Sequence, residues 1–408
     1  MVSLSRGLPR AVWILQAGLV FNALGNGAAA PFTVIYLHEV RGISLGAAGL
    51  AAATSSLAAL CAGLAAGAIA DRTGPRATLL GGLAVAAVAF ACYPLIRTAW
   101  DALALAAVAG AGGGAWLTGQ ASLLAAITPP DRRAAAFAQQ RVAANVGLGL
   151  GGFAAGSVVN TAHPGTFTLL YVGNALTFAV YGAFLLFVPS ARRSRRPGET
   201  GGYRAVLRDH AFVRLALLNL AFVAGAISLL NSLAPAYAKS EAGVTERTIG
   251  LLFLLNTVFI VVFQIPIARL QEGRRRMRAL ASMAALFAMS WLLVLFAGVG
   301  TGARAAAVVL AVAFVVFGAA ECVYDAVVGP LVADLAPEGR TGRYLAVSGF
   351  SWQLGFIAGP GLGGFVLGAR PSLLWLLAAT VCLAAGGQAR ALERRIPAQH
   401  RTTPQARR

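Results

Sequence analysis

AVWILQAGLVFNALGNGAAAPFTVIYL, residues 11–37, contains no acidic or basic side chain and is followed by His38. About 20 predominantly apolar residues suffice to cross the hydrocarbon of a bilayer, so this stretch is long enough to span with a tilt. Eleven similar stretches follow, approximately 46–70, 78–97, 102–127, 135–160, 166–188, 213–238, 249–268, 278–299, 305–333, 343–368 and 371–391. The 408-residue chain is 58% hydrophobic and only 12% charged, which excludes an ordinary water-soluble globular protein. Arg6 and Arg10 ahead of the first stretch give a superficial likeness to a secretory leader. Its apolar run is much longer than the roughly 7–15 residues of a leader's core, so it is expected to remain as the first span.

The basic residues set the orientation. A formal charge of +19 invites a nucleic-acid partner, but that needs basic groups gathered on one solvated face. Here they are scattered through short gaps between spans. Of the 33 lysines and arginines, Arg41, Arg97, Lys239, Arg247, Arg304 and Arg370 fall in alternate gaps, and the rest belong to the other side. That asymmetry is the positive-inside signal; it predicts cytoplasmic termini and no nucleic-acid partner. A single lysine among the 33 points to a GC-rich bacterial genome, and so to the bacterial plasma (inner) membrane.

Several chemistries are excluded on motif grounds. Cys61, Cys92, Cys322 and Cys382 all fall inside predicted spans and read as small apolar fillers, with no disulfide framework or metal knuckle. His38, His163, His210 and His400 lie in gaps or tails, so no metal site and no intramembrane histidine relay is expected. HExxH, Walker A and CxxC motifs do not occur, which predicts no enzyme, no cofactor and no use of ATP. A sensor would need an output domain, and the segment 393–408 after the last stretch is short and basic.

The longest polar interruption, 189–210, includes Arg192-Arg193-Ser194-Arg195-Arg196-Pro197-Gly198 and divides the spans six and six. The predicted domains are a six-helix bundle over 1–188, a basic cytoplasmic linker over 189–212, a second bundle over 213–392 and a tail over 393–408. Residues 203–213 could lie on the membrane surface as a short amphipathic piece. Equally, the arginine run could be purely topogenic and lipid-contacting. The halves look related. Pro130-Asp131-Arg132-Arg133 pairs with Pro337-Glu338-Gly339-Arg340, and Gly147-Leu148-Gly149-Leu150-Gly151-Gly152 with Gly359-Pro360-Gly361-Leu362-Gly363-Gly364. A weaker match joins Asp71-Arg72-Thr73-Gly74-Pro75-Arg76 to Leu270-Gln271-Glu272-Gly273-Arg274-Arg275. With 48 glycines chance alignment is easy, but three matches in the same order weigh against it. Repeats of spans are the common design of secondary transporters, with the site near mid-membrane.

The most specific motif is Gly67-Ala68-Ile69-Ala70-Asp71-Arg72-Thr73-Gly74-Pro75-Arg76. Gly67 would permit close helix approach, Asp71 would end the helix with a negative charge for a neighbouring dipole or arginine, and Gly74 would make a tight turn. The blander reading is that its arginines only set topology. This segment resembles motif A of the major facilitator superfamily, and the spans, central basic loop and repeat extend the resemblance over essentially the whole chain. The resemblance implies an all-α polytopic fold of 12 transmembrane helices in two pseudo-symmetric six-helix bundles. It also implies that Gly67, Asp71, Arg72, Gly74 and Arg76 belong to a loop that latches the halves. Pro75 replaces a residue usually basic in the family, and Leu270 replaces the acid in the eighth gap.

The glycine-rich stretches resemble motif C of the drug:proton antiporter branch. That assigns Gly147, Gly151, Gly152, Gly355, Gly359, Pro360, Gly363 and Gly364 to helix packing and bending. The branch carries its proline in span five, where this chain has Leu148; here Pro360 sits in span eleven, and packing alone explains the glycines as well. Span four lacks the arginine of motif B, and its Gly110-Ala111-Gly112-Gly113-Gly114 reads as tight packing.

Two acids lie away from span ends, Glu321 and Asp325 in Gly318-Ala319-Ala320-Glu321-Cys322-Val323-Tyr324-Asp325. Four residues apart, they share a helix face. Two adjacent carboxylates in low dielectric do not both ionise, so one is expected to hold a proton and the pair to couple transport to protons. The competing reading is a structural pair neutralised by Arg141 or Arg343; Glu321 is the more central of the two acids. Asn22, Asn26, Gln120, Asn231 and Asn256 are candidate cavity residues, joined by Trp116, Tyr324, Phe350, Trp352 and Gln353. Each could instead be a helix-packing contact. In the resembled family the first, fourth, seventh and tenth spans line the path. Aromatic walls with few charges suit amphipathic organic solutes. The chain is therefore expected to be a monomeric transporter of a small molecule, working by proton-coupled efflux of a drug-like compound in the manner of multidrug antiporters. The alternative is uptake or facilitated diffusion of a polar metabolite.

Overall fold

Lipid offers the backbone no hydrogen-bond partners, so a spanning chain must satisfy its amides internally, as helices do. The computed structural model describes residues 8–129, 132–189, 206–300, 302–337, 341–397, 399 and 401–403. Apart from one isolated bridge, their regular structure is helical. The first half holds α1 (Arg10–Ile35, prolonged by a π-helical turn at Tyr36–Val40), α2 (Leu45–Thr73), α3 (Pro75–Cys92), α4 (Ala99–Ile127), α5 (Arg133–Val158) and α6 (Gly165–Leu186). The second holds α7 (His210–Phe222), α8 (Ser228–Ser232), α9 (Ala234–Ser240), α10 (Glu246–Gln271), α11 (Arg276–Ala297), α12 (Ala303–Leu335), α13 (Thr341–Ala369) and α14 (Pro371–Leu392).

Among the described residues, ten helical segments are long and apolar enough to cross a membrane. The helices α5 and α13 fall short of that mark. Gln139, Gln140, Arg141 and Asn145 interrupt α5, while Gln353 and a run of glycines dilute α13. The stretch expected as one helix over 213–238 differs in another way. It starts at His210, because the Asp209 carboxylate accepts from the backbone N–H of Ala211 and Phe212, both at 3.1 Å. It then passes through a π-helical turn at Val223–Ile227 into α8, and Pro235 opens α9. Of the proposed surface piece 203–213, residues 203–205 lie outside the described residues; Val206 and Leu207 are helical, and a turn at Arg208 leads into α7. The arginine run 192–196, Pro130-Asp131 and Glu338 to Arg340 are also outside them.

The chain forms two compact units: Met1–Arg195 with Thr245–Leu254, and Arg196–Val244 with Leu255–Arg408. In the first unit glycines carry the crossings. A Cβ on Gly110 would strike Ser55 O and one on Gly114 Ala59 O, so two glycines a turn apart let α4 lie on α2. Gly112 and Gly119 do the same against Ala86 N and Leu79 N of α3, each at 2.6 Å. On α5, Gly147 meets Ala23 at 2.6 Å and Gly151 meets Leu24 O, bringing α5 onto α1. The second unit repeats this: on α13, Gly355 meets Val223 at 2.6 Å and Gly359 meets Ala224 O at 2.7 Å. Neighbours correspond as well, with α1 touching α5 and α6 while α7 touches α13 and α14. Trp291, buried on α11, donates its indole N–H to Gly225 O at 2.8 Å and stacks on Trp375 of α14 with centroids 4.8 Å apart. Leu64, Val88, Leu176 and Val308 point outward, as side chains solvated by lipid do.

Candidate functional site

The longest helix, α12, carries both acids. Its 33 residues put Glu321 about 27 Å from the Ala303 end and about 21 Å from the Leu335 end, at 1.5 Å per residue. That is the middle of the helix, where a charged group is most costly to hold in lipid. Across from it, the Asn256 amide of α10 donates to Glu321 Oε2 at 3.4 Å and to Phe314 O at 3.2 Å. Below that, Gln264 of α10 donates to Cys322 O at 3.4 Å. Asn256 is buried; Glu321 and Asp325 are half-buried.

One turn along, Tyr324 donates its hydroxyl to Asn219 Oδ1 of α7. The Asn219 amide in turn donates to Ser351 Oγ at 2.7 Å and to Ser348 O at 3.4 Å on α13. A single buried amide thus ties α7, α12 and α13 together. An aromatic row continues from it, with Tyr324 and Trp352 centroids 5.8 Å apart and Trp352 and Phe356 5.7 Å apart. Pro360 lies inside α13 and has no N–H for the carbonyl of Phe356, so the backbone loses a bond beside this row. Gln353 is half-buried and Phe350 is 44% exposed on the same helix. Asn231 spends its amide on Ile227 O, at 2.8 Å, within its own helical stretch.

The remaining candidates fall in the first unit. Asn22 is fully buried and accepts from the Asn26 amide at 3.1 Å, so the two form an intrahelical pair on α1. Gln120 is buried on α4, and its side-chain oxygen has no hydrogen-bond partner among the described residues. Trp116 packs on the apolar cluster of Leu79, Leu83 and Leu123. In the Gly67 to Arg76 segment, α2 ends at Thr73 and Gly74 adopts φ +93°, a conformation open to glycine, with its N–H on Ala70 O at 3.0 Å. Asp71 and Arg72 are exposed and Arg76 half-buried. A Cβ on Gly67 would meet open space, so the close helix approach expected there is not observed; Gly110 and Gly114 supply it instead. Gly363 meets Leu233, Gly152 faces Gly27 O at 3.4 Å, and Gly364 is buried.

Asn219, Ser351 and Gln264 escaped the reading of the sequence. Asn219 had a signal: it is a lone amide within Ala216-Leu217-Leu218-Asn219-Leu220-Ala221-Phe222. Gln16 was also passed over, although its amide donates to Ala136 O at 3.2 Å and joins α1 to α5.

Helices that correspond between two halves, with a polar centre midway along one of them, define the class: a polytopic membrane transporter. A model of the Major Facilitator Superfamily matches residues 16–245 and again 216–408. The chain belongs to the Major Facilitator Superfamily. Two relatives from Bacillus subtilis are similar over most of their lengths. The MFS-type transporter YqjV is 23% identical over 367 residues, 87% of this chain and 86% of the relative. The MFS-type transporter YttB is 26% identical over 386 residues, 91% and 92% of the two. Among solved structures, a POT family transporter in complex with 5-aminolevulinic acid aligns with TM-score 0.75 at 16% identity, over 96% of this chain and 97% of that one. A D-xylose-proton symporter gives 0.73 at 15%, over 96% and 99%. The nucleoside transporter NupG gives 0.73 at 14%, over 94% and 99%. At these identities the likeness is one of fold.

Proposed function

We propose that this transporter is proton-coupled and exports a small, amphipathic organic solute by alternating access, with Glu321 taking up and releasing the proton. The observation that carries this reading is the bond from the Asn256 amide to Glu321 Oε2 in the middle of α12. A carboxyl oxygen can accept that bond whether the acid is ionised or protonated, so the contact survives a protonation cycle. Asp325, one turn along the same face, resists simultaneous ionisation of both acids. The row of Tyr324, Trp352 and Phe356 offers the flat apolar surface that an amphipathic solute requires. On this reading the loop at Asp71 and Gly74 stabilises one state of the cycle, the arginine distribution keeps both termini cytoplasmic, and the chain works as a monomer in a bacterial plasma membrane.

A second reading, uptake or facilitated diffusion of a polar metabolite, is favoured by the neutral hydrogen-bonding cluster of Asn219, Tyr324 and Ser351. The solved neighbours whose names mention nucleosides and D-xylose carry polar solutes of that kind. Both readings are tested in proteoliposomes by following substrate-driven pH changes across lipophilic cations, neutral antibiotics and sugars. Export predicts a response to the first two groups; a response to sugars alone selects proton-linked uptake, and sugar entry without a pH change selects facilitated diffusion. Glu321→Gln should abolish uphill transport with an unaltered gel-filtration profile. Gradient-sensitive transport at the wild-type rate in that variant refutes the coupling role.

A further inference from the structure

Past α14 the chain turns back. Glu393–Arg395 form a 3₁₀ turn, Ile396 is buried, and residues 401–403 return alongside the loop between α10 and α11. There Arg276 N–H donates to Arg401 O at 2.8 Å, Thr403 N–H to Arg274 O at 3.0 Å and Gly273 N–H to Thr403 O at 3.0 Å, with Arg275 and Thr402 paired as an antiparallel bridge. The return encloses a cleft of about 620 Å³ lined by Arg275, Arg278, Arg390, Glu393, Arg394 and Arg401. Five guanidiniums thus face one carboxylate. That carboxylate is occupied, since Glu393 accepts from Arg275 at 2.8 Å. Among the described residues, Arg278, Arg390 and Arg394 have no acidic partner.

Four of these arginines, Arg275, Arg278, Arg390 and Arg394, are exposed, and Arg401 is half-buried. Arg401 is held from behind, its Nε donating to Ile396 O at 2.9 Å and an Nη to Arg394 O at 3.2 Å. Beneath the rim, Arg276 is buried and paired with Asp334 at 2.5 Å, which anchors the start of α11. The positive end of the α11 dipole opens on the same side. Like charges gathered this way repel one another until an anion arrives, and guanidinium forks match phosphate oxygens in pairs. Its position matters too: α11 begins and α14 ends here, so the cleft sits at a membrane boundary, the level of one leaflet's headgroups.

We propose that this tail-closed cleft binds a phosphate-bearing anion, either the headgroup of an anionic phospholipid or a free polyphosphate. The inference stands apart from the transport reading, because it uses no residue of the α12 centre. The test uses the full chain in mild detergent, comparing wild type with Arg390→Gln/Arg394→Gln and with the control Arg97→Gln/Arg304→Gln, which removes the same charge elsewhere. One arm counts cardiolipin and phosphatidylglycerol adducts against phosphatidylcholine by native mass spectrometry. The other measures the melting temperature with pyrophosphate at millimolar concentration. A tenfold or greater loss of anionic-lipid adducts in the cleft variant alone assigns a headgroup. Stabilisation by pyrophosphate that the cleft variant alone loses assigns a soluble anion. Equal behaviour of cleft variant and control in both arms overturns the proposal.

Discussion

At Gly151 the absence of a side chain is the whole of the contribution. Its Cβ position is taken by Leu24 O of α1, and Gly147, one turn earlier, is closed by Ala23. Gly151→Leu forces the two helices apart and should cost about 3 kcal/mol by overpacking, as a lowered melting temperature with aggregation on gel filtration. Gly173→Ala, where a Cβ meets open space inside α6, should not destabilise and should gain up to about 1 kcal/mol of helix propensity. The same scale explains what could be read of the site. Glu321 stood out in the sequence because an acid amid apolar residues has few bland explanations. Asn219 did not, because one amide in an apolar run says nothing of its partners; Tyr324 and Ser351 are 105 and 132 positions away. Gly67 misled for a related reason, since glycine permits a close approach without requiring one.

Elements show where local signals compete. The apolar run through residues 213–238 promises one helix, yet a π-helical turn at Val223–Ile227 and Pro235 divide it. Gly225 lies in that turn, and its carbonyl receives the Trp291 indole N–H, so the irregular backbone is satisfied by tertiary structure. The ends of α11 and α12 are joined by Arg276 and Asp334, of which Arg276 is only 1% exposed. Breaking that pair by Asp334→Ala leaves a buried guanidinium without its counter-ion and should cost about 3 kcal/mol, measured by thermal or denaturant unfolding in detergent. Arg276→Met combined with Asp334→Leu should recover most of that loss, because an apolar pair leaves no orphaned charge.

For the molecule as a whole, topology is the claim most open to direct test. In a background with Cys61, Cys92, Cys322 and Cys382 replaced by alanine, single cysteines at Arg72 and Arg274 should label from the side of the chain's termini. Cysteines at Thr98 and Ser240 should label from the opposite side, each by at least tenfold in vesicles of known orientation. Labelling of Arg72 and Arg274 from different sides would overturn the arrangement of spans, because the two loops are separated by an even number of crossings.

Composition and periodicity were enough for the membrane and the helices. Each of those follows from properties carried along the chain: apolar length against bilayer thickness, and arginines against the gaps between spans. Which glycines meet a neighbour, which amide closes the cluster at Tyr324, and how residues 401–403 return to cover a ring of arginines depended on the folded chain. Such contacts join residues tens of positions to more than a hundred positions apart, and no local pattern encodes which helix will be the partner.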